Sequence, residues 1–244
     1  MSELAAQGPG FFGKVRTHGD FVSRRLPVEF LAPWDACMQR GMLFGQQTFG
    51  AQWLPVYLNA PIWCFTLGAG ICGGSGWVGV LMPGVDRVGR YFPFTIAAPI
   101  AQSELEGWLE GAQSWYDMIA QRALSTLAAD FVLEQFDAGL NALGAAADAT
   151  ATAMWRLAVV NEVDDAGEAG EANEVNEATA DNEPVFARRL ADSAAPGFSL
   201  WWSEGSPSVP ASLRIAPGLP DAQQFAALLE PSCDGWPSSV ILRA

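Results

Sequence analysis

The chain has little positive charge. Thirteen of its 244 residues are lysine or arginine, against 27 aspartate or glutamate residues, and its net charge is −14. Proteins bind nucleic acid through clusters of lysine and arginine that neutralise backbone phosphates, and no such stripe occurs along this sequence. We therefore expect no nucleic-acid partner. The negative charge is concentrated, because nine carboxylates lie within residues 162–183.

Paired cysteines and long apolar runs are absent from the sequence. Without a C-x-x-C pair there is neither a disulfide framework nor the spacing of a zinc site. No run approaches the roughly 18 apolar residues of a membrane span, and the N-terminus lacks the basic start and apolar core of a signal peptide. We expect a cytoplasmic protein whose four cysteines are small buried side chains: Cys37, Cys64, Cys72 and Cys233.

The sequence also has little that could carry out catalysis. Its only histidine, His18, lies two residues from Asp20, so the two side chains would share one face of a strand. A Ser-His-Asp mechanism needs a nucleophilic serine as well, and there is no G-x-S-x-G elbow. We expect His18 to be a loop residue with a local hydrogen bond. The sequence predicts no catalytic residue, no metal site and no cofactor.

One glycine-rich run has the letters of a dinucleotide-binding fingerprint. Residues 68–73 form G-x-G-x-x-G after a predicted strand. Such a run holds pyrophosphate only where a helix begins directly after it. Residues 76–82 are Gly-Trp-Val-Gly-Val-Leu-Met, which is typical of a strand. We therefore interpret the run as the connection of a hairpin.

The chain is rich in residues that favour burial. Half of its residues are hydrophobic, and ten are tryptophan. Two stretches, 10–22 and 81–93, place charged residues among aromatic residues and glycines. We call the charged residues and the histidine of these stretches the polar seam: Lys14, Arg16, His18, Asp20, Asp86, Arg87 and Arg90.

Two interpretations of the polar seam are open, because ionised groups among apolar neighbours need partners. In the first, Arg87 and Arg90 pair with Asp86 or Asp20 and hold the two stretches together. In the second, the polar seam is a binding site for a partner protein or for phosphate, which guanidinium groups bind well. A phosphate site would make the chain a phosphate- or nucleotide-handling enzyme, with Asp20 or Asp86 as general base.

Helical and strand-like patterns alternate along the chain. Apolar residues recurring every three or four positions predict helices over 27–49, 103–123, 130–143 and 220–229, with a short helical turn over 51–58. Apolar runs bounded by turn residues predict strands over 10–15, 62–67, 77–82, 90–98, 154–160, 198–203 and, as an edge strand or tail, 239–242. The alternation predicts an α/β fold with a mixed sheet, because some connections are as short as hairpins.

Residues 161–184 contain no aromatic side chain and are dominated by Glu, Asp, Asn, Ala and Gly. Such a composition buries too little apolar surface to offset the entropy lost on ordering. We expect a mobile acidic loop there, with an acidic arm for a basic partner as the alternative.

The two stretches that hold the polar seam resemble the signatures of the TagF family, which is associated with the type VI secretion system. Residues 10–22, Gly-Phe-Phe-Gly-Lys-Val-Arg-Thr-His-Gly-Asp-Phe-Val, are similar to the family's opening G-F-F-G-K-x-x-x-x-G-D-F-V. The resemblance spans about 10–230 and is weak through 140–195. Further similar segments are Pro33-Trp34-Asp35 and residues 57–63, 81–93, 199–202 and 218–220.

The resemblance implies a three-layer α-β-α sandwich and a single TagF-like domain over 1–244. It also implies a non-enzymatic regulator that represses type VI secretion after translation, in the bacterial cytoplasm. The implied partner is the forkhead-associated scaffold protein of the secretion system, beside a threonine kinase and phosphatase pathway. No catalytic residue is carried over from the family.

Overall fold

The structure is a computed structural model that describes residues 8–144, 146, 158–160, 195–233, 235–236 and 238–243. The predicted acidic loop over 161–184 and the first part of the predicted strand 154–160 lie outside these residues. The nine strands are β1 (Gly10–Gly13), β2 (Val22–Arg24), β3 (Trp63–Leu67), β4 (Gly76–Met82), β5 (Phe94–Ile100), β6 (Ala158–Val160), β7 (Phe198–Ser203), β8 (Ser212–Pro217) and β9 (Ser238–Arg243).

All nine strands belong to one sheet in the order β2-β1-β5-β4-β3-β7-β8-β9-β6. Every neighbouring pair among them is antiparallel, so the α/β class is confirmed but the predicted mixed strand directions are wrong. A parallel pair needs a connection that returns to a neighbouring strand. Here residues 25–62, which contain α1 and α2, carry the chain from β2 at one edge of the sheet to β3 at its centre, so these two strands are not neighbours.

Six α-helices accompany the sheet in the described residues: α1 (Val28–Phe49), α2 (Trp53–Leu58), α3 (Leu105–Gly111), α4 (Gln113–Ser125), α5 (Leu133–Asn141) and α6 (Ala222–Leu229). The helix predicted over 27–49 matches α1 closely. The helix predicted over 103–123 is two helices that break at Ala112, whose backbone N–H still bonds to the Trp108 carbonyl. Asp221 begins α6 with a capping box to Gln224.

Two hydrophobic cores lie on opposite faces of the sheet. Between one face and α1, α2 and α6, the ring of Trp34 lies 4.7 Å from that of Phe65 and 5.9 Å from that of Trp201. On the other face, α3, α4 and α5 cover residues such as Val80 and Ile96. The alternation of side chains along each strand supplies both cores. The three-layer α-β-α arrangement is therefore confirmed for the described residues.

Two predictions about the strands need correction. Residues 239–242 were expected at an edge, but β9 lies inside the sheet between β8 and β6. The strand expected over 90–98 begins only at Phe94, because residues 83–93 form a loop with a single bridge from Val85 to Tyr91. The glycine-rich run 68–73 is the β3–β4 hairpin connection, as predicted.

The two stretches that hold the polar seam meet backbone to backbone. A Cβ atom added to Gly84 would lie 2.4 Å from the Phe92 carbonyl oxygen and 2.7 Å from that of Lys14. Gly13, with φ of 139°, leaves equally little room beside the Pro93 carbonyl oxygen at 2.2 Å. Only glycine permits this close approach. The end of β1 and the 83–93 loop are thus fixed against each other.

Replacing Gly84 by alanine should lower the free energy of unfolding by about 2–4 kcal/mol, because the new methyl group meets backbone atoms that cannot rotate away. Urea unfolding of the variant Gly84→Ala measures this. The matched control is Gly107→Ala in α3, where no atom lies within 4 Å of the added Cβ. That control should be neutral or slightly stabilising, because alanine favours a helix over glycine. Equal effects of the two changes would contradict the close approach.

Candidate functional site

The order of the strands explains why the two stretches meet. Both β1 and β4 pair antiparallel with β5, so β1 and β4 run in the same direction on either side of it. The C-terminal ends of β1 and β4 therefore lie side by side at the same end of the strands, about 10 Å apart, which is two strand spacings. The segment after β1 (residues 14–21) and the segment after β4 (residues 83–93) both begin there. The polar seam lies on these two segments.

Asp86 is the centre of the polar seam. Its Oδ2 atom accepts hydrogen bonds from Lys14 Nζ at 2.6 Å and from Arg90 Nε at 2.7 Å. Its Oδ1 atom accepts from the backbone N–H groups of Val88 at 3.0 Å and Arg90 at 2.9 Å. Asp86 and Lys14 are only 3% and 6% exposed. We call Lys14, Asp86 and Arg90 the ion-pair brace.

These contacts determine the pKa of Asp86. Burial alone would raise that pKa, since an ionised carboxylate loses water. The hydrogen bonds from Lys14, from the Arg90 backbone and side chain, and from the Val88 backbone outweigh burial and hold the pKa well below its ordinary value. Asp86 is therefore ionised at neutral pH and is a very weak base. A general base needs a pKa near the working pH, so this geometry speaks against the role considered for Asp86 in an enzyme.

Backbone contacts join the two segments next to the ion-pair brace. The backbone N–H of Arg87 donates to the His18 carbonyl oxygen at 2.9 Å. The Arg90 guanidinium, which already contacts Asp86, also donates through Nη2 to the Gly19 carbonyl oxygen. One arginine thus bridges a buried carboxylate on its own segment and a backbone carbonyl on the other. The two segments form one continuous surface.

The remaining residues of the polar seam point outward or bond locally. Arg16, Asp20 and Arg87 are exposed, and none of the three forms an ion pair in the part of the chain that the structure describes. His18 is partly buried, and its Nδ1 atom lies 3.0 Å from Thr17 Oγ1. Asp20 Oδ1 accepts from the Phe21 backbone N–H at 2.9 Å. His18 and Asp20 therefore bond to their own neighbours, and no hydrogen bond between them is formed.

Two apolar side chains lie among the exposed charges. Val88 at the tip of its loop is 65% exposed, and Phe21 is 43% exposed. The Phe21 ring stacks on Phe12 with centroids 5.4 Å apart and meets Phe92 edge-on at 4.8 Å, so it is held in place. Lys14 Nζ lies 4.9 Å from the Phe21 ring centroid. We call the outer surface of the two segments the exposed face, made of Arg16, Asp20, Phe21, Arg87 and Val88.

Sequence reasoning missed the residue that anchors the 83–93 loop to the core. The hydroxyl group of Tyr57, in α2, donates to the Gly84 carbonyl oxygen at 3.1 Å and accepts from the Gly84 backbone N–H at 2.8 Å. Burial raises the pKa of Tyr57, so the phenol keeps the proton that it donates. Nothing in the local sequence indicates this contact, because it joins residues 27 positions apart.

Sequence reasoning also missed a second ion pair. The Arg25 guanidinium contacts the Asp137 carboxylate and donates to the Pro9 carbonyl oxygen at 2.9 Å. This contact ties the turn after β2 to α5. Arg25 has φ of 57°, the one positive φ among the described residues other than glycine. The pair lies beside the N-terminal end of β1, at the end of the strand opposite to the polar seam.

The described chain has a cleft away from the polar seam. This cleft of about 470 Å³ lies between α4 and the ends of β3 and β7, with Cys64, Asp117 and Glu204 among its lining residues. Burial raises the pKa of Cys64, which leaves a protonated, unreactive thiol. All four cysteines are free, and no group of three or more His, Cys, Asp or Glu side chains within the described residues could hold a metal ion.

Comparison with known proteins connects the chain with type VI secretion. The family model described as the TagF N-terminal domain, type VI secretion system-associated, matches residues 10–143, which include every residue of the polar seam. The chain belongs to the TagF family. No helix in the described residues is long and apolar enough to cross a membrane.

A solved structure is similar over nearly the whole chain. The crystal structure of PA0076 from Pseudomonas aeruginosa PAO1, at 2.05 Å resolution, has a TM-score of 0.70 and 34% sequence identity. The similarity covers 93% of this chain and 95% of PA0076, and so extends well beyond residue 143. No curated protein sequence matches the chain.

The depressed pKa of Asp86 gives stability a defined dependence on pH. A carboxylate with a lowered pKa stabilises the fold above its unfolded pKa, near 3.8, and loses that effect as the pH falls towards the folded value. We expect Asp86→Asn to be less stable than the wild type at pH 7, and this difference to shrink below about pH 4. Urea unfolding at several pH values measures it.

The control for this experiment is Asp20→Asn, which makes the same change of charge at an exposed position of the same surface. It should change the stability little at any pH, because Asp20 forms no ion pair with any residue that the structure describes. A difference for Asp86→Asn that stays constant down to pH 2 would show that the ionised carboxylate does not stabilise the fold.

Replacing Tyr57 by phenylalanine should lower the free energy of unfolding by about 1–3 kcal/mol, because both backbone groups of Gly84 lose a buried partner. The matched control is Tyr91→Phe, which removes a hydroxyl group that forms no hydrogen bond among the described residues. Its effect should stay within about 0.5 kcal/mol. Thermal and urea unfolding measure both variants, and equal effects would contradict an anchoring role for Tyr57.

Proposed function

We propose that the chain represses type VI secretion after translation by binding a component of the secretion system in the bacterial cytoplasm. The component proposed is the forkhead-associated scaffold protein. Membership of the TagF family supports the connection with type VI secretion. The observation that carries the binding role is the exposed face. There Arg87 and Val88 project from the 83–93 loop, which Asp86 and Tyr57 hold in place.

The proposed mechanism is sequestration. A scaffold protein held on the exposed face is withdrawn from assembly of the secretion apparatus. The ion-pair brace and Tyr57 fix the loop before a partner arrives, so binding costs little backbone ordering. A loop that is already ordered also presents the same side chains to every partner molecule, which favours specificity.

We propose a role without enzymatic activity, and the geometry of the polar seam supports it. A phosphate- or nucleotide-handling enzyme that used Asp86 as general base would need that carboxylate to be free to accept a proton. Lys14 and Arg90 contact Asp86, and Asp86 is fully hydrogen-bonded by them and by the backbone. Thermal-shift measurements with nucleotides and phosphoesters test the alternative. Specific stabilisation at millimolar concentration would favour an enzyme over a binding regulator.

The central experiment measures binding and repression with one pair of matched variants. The purified chain should co-purify with the forkhead-associated scaffold protein, and overproduction of the chain should reduce type VI secretion in cells. The variant Arg87→Ala/Val88→Ala should weaken binding at least about tenfold, as expected when anchoring side chains of an interface are truncated, and should relieve repression.

The control variant is Arg40→Ala/Leu43→Ala, which removes the same kinds of exposed side chain from α1, outside the polar seam. It should bind and repress like the wild type. Failure of the wild type to bind the scaffold protein would overturn the proposed mechanism. Normal binding by a folded Arg87→Ala/Val88→Ala variant would overturn the assignment of the exposed face.

A further inference from the structure

The two segments that carry the polar seam have a charge opposite to that of the chain. Lys14, Arg16, Arg87 and Arg90 contribute four positive charges, and Asp20 and Asp86 contribute two negative charges, which gives +2 with His18 neutral. The whole chain carries −14. The exposed face therefore lies in a cationic region of an acidic protein. An acidic partner would be repelled by the chain as a whole and attracted here.

Most of this positive charge can reach a partner. The buried pair of Lys14 and Asp86 contributes no net charge. Arg16 and Arg87 are exposed, and the Arg90 side chain is 58% exposed beyond its contact with Asp86. Asp20 is the one exposed carboxylate on these two segments. The surface charge that a partner meets is therefore about two units positive, with Val88 and Phe21 between the charges.

The backbone of the loop indicates which kind of anion this surface fits. Phosphate groups are commonly held by a concave set of free backbone N–H groups. In residues 87–90 every backbone N–H is already bonded: Arg87 to the His18 carbonyl, Val88 and Arg90 to the Asp86 carboxylate, and Gly89 to the Asp86 carbonyl. No backbone cradle for phosphate is open in this loop. The arginine side chains remain. A guanidinium group binds a carboxylate as well as a phosphate, so the preference for carboxylates rests on the closed backbone of residues 87–90 and on the apolar side chains beside the arginines.

The exposed apolar side chains point to the same kind of ligand. Interfaces between proteins combine arginine and aromatic side chains with apolar contacts, whereas a small anion makes no favourable contact with an apolar side chain. Val88 is 65% exposed at a loop tip, and the neighbouring Phe21 ring is held by two other rings. A partner surface that is complementary to the exposed face would have carboxylates opposite the arginines and an apolar side chain opposite Val88.

We propose that the exposed face docks on an acidic surface of a partner protein, with Arg16 and Arg87 contacting carboxylates and Val88 filling an apolar contact. This inference rests on the proposed function, because it describes the surface of the scaffold protein that would meet this chain. The positive charge of the exposed face orients the encounter by attracting the acidic surface of the partner. Charge complementarity therefore sets orientation and association rate as well as affinity.

The test uses purified full-length chain and purified forkhead-associated scaffold protein, with affinity and association rate measured at increasing salt. The affinity and the association rate of the wild type should both fall as salt rises from about 50 to 500 mM, because screening removes the attraction between the two proteins. The charge reversal Arg16→Glu/Arg87→Glu should lower the affinity at least about tenfold, mainly through slower association. The charge-preserving variant Arg16→Lys/Arg87→Lys should keep the association rate within about threefold of the wild type at low salt, because electrostatic steering depends on the charge.

Three controls separate the possible results. Arg40→Glu makes a charge reversal on α1 and should leave the association rate near that of the wild type. Unfolding curves of all variants confirm that each is folded. Binding of inorganic phosphate or a phosphothreonine peptide at the exposed face, lost in Arg16→Glu/Arg87→Glu, would overturn the inference in favour of an anion site.

The failure of this inference can be distinguished from failure of the proposed function. Binding by the wild type that is insensitive to salt and unchanged in Arg16→Glu/Arg87→Glu overturns the acidic docking surface and leaves the scaffold partner standing. Absence of any binding by the wild type at low salt overturns the proposed partner, and the inference with it.

Discussion

The geometry of the candidate site depends on one buried carboxylate. The Asp86 carboxylate accepts hydrogen bonds from an ammonium group, a guanidinium group and two backbone N–H groups. Each of these contacts fixes a different part of the surface. Lys14 belongs to the end of β1, while Arg90 reaches from the loop back to the Gly19 carbonyl. A single ionised side chain thus determines the shape of its own loop and the position of the neighbouring segment.

The pairing interpretation of the polar seam holds for Asp86 and Arg90, with Lys14 as a further partner, but Arg87 and Asp20 form no ion pair among the described residues. Lys14, Asp86 and Arg90 hold the fold together, and Arg16, Arg87 and Asp20 remain available to solvent. A role in stability and the proposed role in binding are therefore compatible for neighbouring residues of the polar seam. Alanine substitution of Asp86 would disturb both, which is why exposed positions are the informative ones for binding.

The sequence predicts local structure better than pairing. Helix α1 is predicted almost to the residue because Phe30, Trp34 and Met38 recur at helical spacing. Strand β2 is not predicted because it has only three residues. Strand β8 is not predicted because the buried Arg214, which lies 5.3 Å from the Trp63 ring, interrupts its apolar run. The antiparallel directions and the contact of Lys14 with Asp86 depend on which strands flank β5. No local pattern contains that information.

The pairing of β3 bears on where this protein could be divided. The matched family segment ends at residue 143, yet β3, at the centre of the sheet, pairs on one side with β4 and on the other with β7. Cutting the chain at 143 would leave a row of backbone donors and acceptors on β3 without partners and would uncover Trp34 where Trp201 now stacks. An isolated N-terminal fragment would therefore carry the whole polar seam on a sheet prone to aggregate through its new edge.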